Sequence, residues 1–404
     1  MRNSRFLLIV IAILWLFAVT FSYYIVHKPF TAESAQLLLN VFRSNAWNFA
    51  APSLENLRAI LNDFGNVGVA FAVYVLAAAI GRKLLRQFEF ASPLEAIVLR
   101  MGLGLGILSF ATFALGLIGV LNPILFWLLM LLAALLLRRE FAGTWVDVRK
   151  IQLPIQSRFE RMLAGFIAAT FLLASLVALA PTVAWDAQGY HLVAGKLALA
   201  RGYIGAPPDI LSLSNPSLME MLYLGAMTLK DDGATALIHF GFLVLTLGAM
   251  LAFSARYFTT RVGWIAGAIL CAVPTLLTVA SWPYNDAALT FYAFAAFYAL
   301  MIAKEHQDAR GFLLAGVLAG FALGEKYTAA AVPVALMPLI FKPTRQSLKN
   351  VAILSLGVLL TASPWFVRNW LWEGNPFYPF FFYYFRKMGT REKLKRHIML
   401  LVFT

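Results

Sequence analysis

Asp186, Tyr190 and His191 lie within WDAQGYHL, just after a long apolar run that ends at Ala180. A carboxylate at such a boundary can act as general base toward an alcohol or sugar hydroxyl. Tyr190 is four residues on, so in a helix it shares the Asp186 face, while His191 falls further round. Glu220 interrupts NPSLMEMLYLGAMTL, and Asn285 with Asp286 opens an apolar stretch in SWPYNDAALTFYAF. Asp186 and Asp286, with a His or Glu nearby, suit a divalent cation (Mg, Mn or Zn) that bridges a phosphate. Lys326, in FALGEKYTAAAVP, is a point charge able to meet a phosphate oxygen. Arg368, in SPWFVRNWLWEGNPFYPF, is the second cationic candidate, and Asn375 sits in the Gly374-Asn375-Pro376 turn beyond it.

Each of these residues also has a plainer use. Asp186 and Asp286 both precede apolar-periodic runs and could cap helices. Glu325 and Lys326 could pair with each other at a helix break. The aromatic residues around Arg368 suit a belt at a membrane interface, and a lone histidine such as His191 is more often structural than ligating. Convergence on one side is what would favour chemistry, and that depends on how the chain is threaded.

Composition decides the class. The chain has 404 residues, 61% hydrophobic and 13% charged, with a mean hydropathy of +0.77. A bilayer can solvate that much apolar surface and water cannot. The expected fold is all-α, a polytopic transmembrane bundle of about 11 spans. The spans read as Phe6–Val26, Gly65–Leu85, Leu94–Ile118, Leu121–Leu137, Met162–Ala180, Gly233–Ser254, Val262–Ser281, Asp286–Ala303, Gly311–Gly324, Tyr327–Phe341 and Val351–Phe366. Phe6–Val26 reads as an uncleaved first span, being long for a signal peptide and without a small-x-small cleavage site. The single cysteine, Cys271, excludes a disulfide framework or a thiolate metal site. The net charge of +14 is scattered through short loops, the pattern of cytoplasmic loops and not of a nucleic-acid surface.

Lys and Arg orient the spans. Arg2 and Arg5 place the N-terminus inside, and alternation then puts the loop at 181–232 outside. The apolar stretch Asn215–Leu229 is short for a crossing and carries Glu220. Lying flat as an interfacial helix, it leaves Arg256/Arg261, Lys304/Arg310 and Lys342/Arg345/Lys349 all inside. Asp186–Ala200 reads as a second flat helix. With that threading Asp186, His191, Glu220, Asn285, Asp286, Glu325, Lys326 and Arg368 all reach the outer face. The expected divisions are 1–161 for four N-terminal spans, 162–385 for the core, and 386–404 for a basic tail. Alternation puts this tail outside, against the positive-inside rule, so either the last span is shifted or the chain continues.

The order of these motifs resembles the polyprenol-dependent membrane glycosyltransferases of the GT-C class, which include protein mannosyltransferases and lipid A aminoarabinose transferases. The likeness runs from about Met162 to Phe385. It implies transfer of a sugar from a polyprenyl-phosphate donor to a lipid, glycan or protein acceptor on the non-cytoplasmic face of a plasma or inner membrane, with inversion. Asp186 matches the acid of the first outer loop and becomes the base, and Asp286 matches the second acid. Lys326 and Arg368 match basic residues on the donor phosphate, while Tyr190, His191, Glu220, Asn285 and Asn375 would contact substrate. Asn215-Pro216-Ser217 stands where the class shows a fuller Pro-Pro signature. The competing class is a transporter or flippase of a lipid-linked sugar. Such carriers place ionisable residues near mid-bilayer and show internal repeats, whereas here the charges gather at one surface and no repeat relates the halves.

Overall fold

The computed structural model describes residues 54–387, apart from 154 and 207–210, together with scattered positions between 14 and 40. The chain divides into two compact units, 1–61 and 62–404, and the description below concerns the second. The expected span Phe6–Val26 falls largely outside the described residues, as do 388–404 of the basic tail.

The described elements are helical throughout. They are α1 (Leu54–Leu84), α2 (Pro93–Leu117), α3 (Pro123–Leu136), α4 (Arg138–Arg149), α5 (Arg158–Leu179), α6 (Val193–Arg201) and α7 (Leu218–Leu229). They continue as α8 (Thr235–Tyr257), α9 (Thr260–Cys271), α10 (Pro274–Ala280), α11 (Asp286–His306), α12 (Ala309–Glu325), α13 (Ala331–Leu336) and α14 (Arg345–Glu373). Local sequence explains many of the starts. Ser92 and Asn122 accept the N–H of the third residue on, each followed by a proline whose missing N–H is no loss there. Ser157 and Glu160 form a reciprocal capping box at α5. Gly374 ends α14 with φ 67°, a left-handed conformation that favours glycine.

The chain is a polytopic helix bundle. Among the described residues six helices are long and apolar enough to cross a membrane, or seven if α9 and α10, bent by 79°, form one span. That is fewer than the sequence suggested, and length is the reason. The expected span Leu121–Leu137 is the 14-residue α3, about 21 Å long against a hydrocarbon core of about 30 Å. Gly311–Gly324 is the 17-residue α12, and Tyr327–Phe341 is broken into short turns around Pro333 and Pro338.

The core lies where α2, α8, α11 and α12 meet, around the fully buried Leu99, Phe242, Phe291, Tyr292 and Phe321. The 12-residue α7 is the largest departure from expectation. It does not lie flat with one face to lipid: every one of its residues is buried, and it packs on α2, α3, α6 and α8.

Polar contacts gather at opposite ends of α11, which at 21 residues spans about 31 Å. At its C-terminal end Arg256 bridges the buried Glu95 (2.8 Å) and Glu305 (2.9 Å), and Tyr298 donates to Glu95. Glu95 opens α2, whose Arg100 joins Arg82 of α1 on Asp147 of α4. The other end of α11 opens on Asp286.

Candidate functional site

The segment after α5 leaves the bundle at Pro181 and winds a π turn over Ala187–His191, closed by Leu192 N–H donating to Ala187 O at 3.0 Å. The wider turn changes which way successive side chains face, as such turns often do at functional sites. Tyr190 lies beside the Asp186 carboxylate, whereas His191 turns inward and is 2% exposed. Asp186 occupies the N-cap position but makes no cap bond, so the capping explanation for this residue fails. Burial, and then the Asp186 carboxylate beside it, raise the Tyr190 pKa above the usual tyrosine range. The phenol therefore stays protonated beside Asp186.

His191 Nδ1 meets Glu220 Oε1 at 2.7 Å, tying the π turn to α7. Three residues away from Glu220, Tyr223 donates to the Tyr284 carbonyl. That bond carries α7 to the Trp282–Asn285 turn, whose Tyr284 ring also lies 5.3 Å from His191. The Tyr284 phenol lies against the Asp186 backbone, and burial raises its pKa too.

Asp286 is the first residue of α11, and neither it nor Asn285 caps that helix with its side chain. His239 of α8 does so instead: Nδ1 donates to Trp282 O (2.6 Å) and Nε2 accepts the Ala287 N–H (2.9 Å). Two bonds of opposite polarity fix the neutral Nδ1–H tautomer. Asp286 is left to pair with Lys326 at 3.5 Å, both side chains 42% exposed. Asn285 donates from Nδ2 to the Glu325 carbonyl at 2.8 Å.

Glu325 and Lys326 do not pair with each other. Lys326 ends α12 in extended backbone and reaches Asp286, whereas Glu325 points inward, 1% exposed, and accepts the Met219 N–H at 3.1 Å. Tyr190, Ser212, Asn215, Ser217, Glu220, Asn285, Glu325 and Lys326 thus line one small cavity of about 30 Å³. The convergence expected from the sequence is present among these residues.

Arg368 is buried and engaged. Its guanidinium donates to Ser214 O (2.8 Å), Asn215 O (2.6 Å) and Ser217 Oγ (3.1 Å), with its carbon 5.4 Å from the Trp365 ring and 5.6 Å from Trp372. It therefore pins the segment that leads into α7, and it borders a neighbouring pocket with Arg201 and Ser217. Asn375 holds its own turn, donating to Phe380 O and accepting from the Phe377 N–H, and is 2% exposed. Asp186 and Asp286 offer a poor cage for a divalent cation. Asp286 is already paired with Lys326, and among the described residues no three His, Cys, Asp or Glu side chains gather closely enough to hold a metal.

A family model described as a domain of unknown function (DUF8201) matches residues 228–388. The match takes in Asn285, Asp286, Glu325, Lys326 and Arg368 and leaves out Asp186 and Glu220. No curated protein and no solved structure matches the chain.

His239 and Tyr284 were not among the residues the sequence singled out. His239 stands alone in an apolar helix, and only the packing of α8 against the start of α11 makes it a cap. The Pro-aromatic turn SWPYND was a visible signal for Tyr284.

Proposed function

We propose that the chain is a polyprenol-dependent membrane glycosyltransferase of the GT-C kind, moving a sugar from a polyprenyl-phosphate donor to a lipid, glycan or protein acceptor. One observation carries this reading: α7 contributes to the walls of two cavities of different chemistry. Its Leu222, Gly225, Ala226 and Leu229 help wall an apolar cavity of about 500 Å³ shared with α1, α2 and α3. Near its N-terminal end, Glu220 lines the small cavity with Tyr190, Asn285, Glu325 and Lys326. That arrangement suits an amphiphile whose tail rests in apolar space while carboxylates and a lysine handle its head.

In this reading Asp186 accepts the proton of the acceptor hydroxyl as that oxygen attacks the anomeric carbon. The new C–O bond forms opposite the leaving group, so configuration inverts. The bond from the sugar to the phosphate oxygen breaks, and its electron pair departs on the polyprenyl phosphate. Tyr190 keeps the Asp186 carboxylate oriented. Lys326 sits in an exposed pair worth about 0–1 kcal/mol, so it can leave Asp286 and neutralise the departing phosphate. Arg368 acts by holding the loop at Ser214–Ser217 in place.

We place this end on the non-cytoplasmic face of a plasma or inner membrane, with the N-terminus cytoplasmic. The hairpins carrying Arg82/Arg86 and Arg256/Arg261 lie toward the opposite end, as the positive-inside rule requires of cytoplasmic loops. The bent pair α9–α10 favours a second reading, a flippase for a lipid-linked sugar, since carriers often use discontinuous helices. Product analysis separates the two. A transferase supplied with a polyprenyl-phosphate sugar and crude acceptor lipids releases free polyprenyl phosphate, and a flippase returns the donor intact.

A further inference from the structure

The small cavity presents more acceptors than the chain satisfies. Glu220 Oε2, Asn285 Oδ1 and Glu325 Oε1 are all buried with no hydrogen-bond partner. Their residues are 6%, 5% and 1% exposed and line the same cavity. None can swing away at no cost, because each side chain is anchored by its other polar atom: Glu220 Oε1 to His191, Glu325 Oε2 to the Met219 N–H, and Asn285 Nδ2 to the Glu325 carbonyl. Buried oxygens without partners are rare, and three on one cavity wall call for an occupant.

The charge around the cavity says what kind. Glu220 and Glu325 line it, Asp186 and Asp286 stand close by, and the cation facing them is Lys326, already turned to Asp286. Lys196 is paired with Asp232 at 2.8 Å, and Arg368 gives its donors to the Ser214–Ser217 segment. A phosphate-bearing substrate would add further negative charge to an end already rich in carboxylates. The missing component is positive and needs only acceptors around it.

We propose that Glu220, Asn285 and Glu325 hold a hard divalent cation of the Mg²⁺ or Mn²⁺ type in this cavity. Two carboxylates and an amide carbonyl form the all-oxygen ligand set such ions prefer. A cavity of about 30 Å³ has room for the ion with one or two waters. Water and a substrate oxygen complete its shell, which is the usual state of Mg²⁺ and agrees with the absence of a closed His/Cys/Asp/Glu cage among the described residues. His191 steadies Glu220 from behind, as groups behind a metal ligand commonly do. The site is distinct from the Asp186/Asp286 pair, and it leaves Asp186 free to act as a base.

The test uses the full chain in lipid nanodiscs, stripped with chelator and titrated with Mn²⁺ while free ion is followed by electron paramagnetic resonance. No sugar donor is present, so the outcome is independent of the transferase reading. Wild type should bind one Mn²⁺ per chain, with Mg²⁺ competing. Glu220→Gln or Glu325→Gln should weaken binding at least about tenfold, and Asp186→Asn should leave it unchanged. Both glutamine variants keep the side-chain shape and remove a carboxylate ligand. Their melting temperatures in chelator should match or exceed wild type and should no longer rise with Mn²⁺. Absence of saturable binding to wild type would overturn the proposal and assign the cavity to water or a carboxyl proton. Binding that survives both glutamine variants would overturn it as well.

Discussion

Lys326 and Asp286 are joined by a half-exposed pair that contributes little to stability. Lys326→Gln should therefore leave the melting temperature nearly unchanged while lowering donor turnover by about 10²–10³, the effect of losing one donor to a developing oxyanion. Initial rates and a thermal melt of the same preparation decide it. Tyr190 gives a pH prediction. Its folded pKa lies above the unfolded value, so its contribution to stability is complete below pH about 10 and is lost as pH rises beyond that. The melting temperature of wild type should fall above that pH, and that of Tyr190→Phe should fall less. At this scale the sequence said more about which residues share a face than about what each one touches. The expectation that Asp186, Glu220, Asn285 and Lys326 share one face followed from the positive residues alone. That Lys326 pairs with Asp286 and not with its neighbour Glu325 did not, because one step of extended backbone sends adjacent side chains to opposite sides.

The helices α11, α12 and α14 carry Asp286, Glu325 and Arg368, and their packing sets the site. Gly316 and Gly357 bring α12 and α14 together: a Cβ on Gly316 would fall 2.0 Å from the Leu354 carbonyl oxygen, and one on Gly357 would fall 2.6 Å from that of Leu313. Gly316→Val should destabilise the fold by about 1–3 kcal/mol or more through overpacking, measured by denaturant unfolding. His239→Ala removes the cap of α11 and should cost about 1 kcal/mol. Six of the expected spans appear as long helices because a run of about 20 apolar residues is a strong signal. Runs near Leu121 and Tyr327 misled because hydropathy does not tell a full crossing from an equally apolar segment whose helix stops after 14 residues or is broken around Pro333 and Pro338. Hydropathy also hid α7, whose twelve residues were read as interfacial and are wholly enclosed.

Within the unit 62–404, charged side chains meet toward the two ends of α11, about one bilayer thickness apart, and the proposed chemistry belongs to the end that carries Asp186. Val183 and Trp185 beside it are 90% and 86% exposed. In a Cys271→Ser background, Val183→Cys should react with a membrane-impermeant maleimide added to intact cells. Protection in intact cells with labelling only after lysis would move the site to the cytoplasmic face. The central claim is that this end transfers a sugar with Asp186 as base, and donor consumption tests it most directly. Membranes bearing wild type or Asp186→Asn would receive a panel of polyprenyl-phosphate sugars with crude acceptor lipids, and free polyprenyl phosphate would be measured by mass spectrometry. Release by wild type, reduced by about 10²–10⁴ in the variant, is the expected result. Equal release by the two would contradict the role of Asp186, and no release by wild type with any donor would contradict the transferase itself.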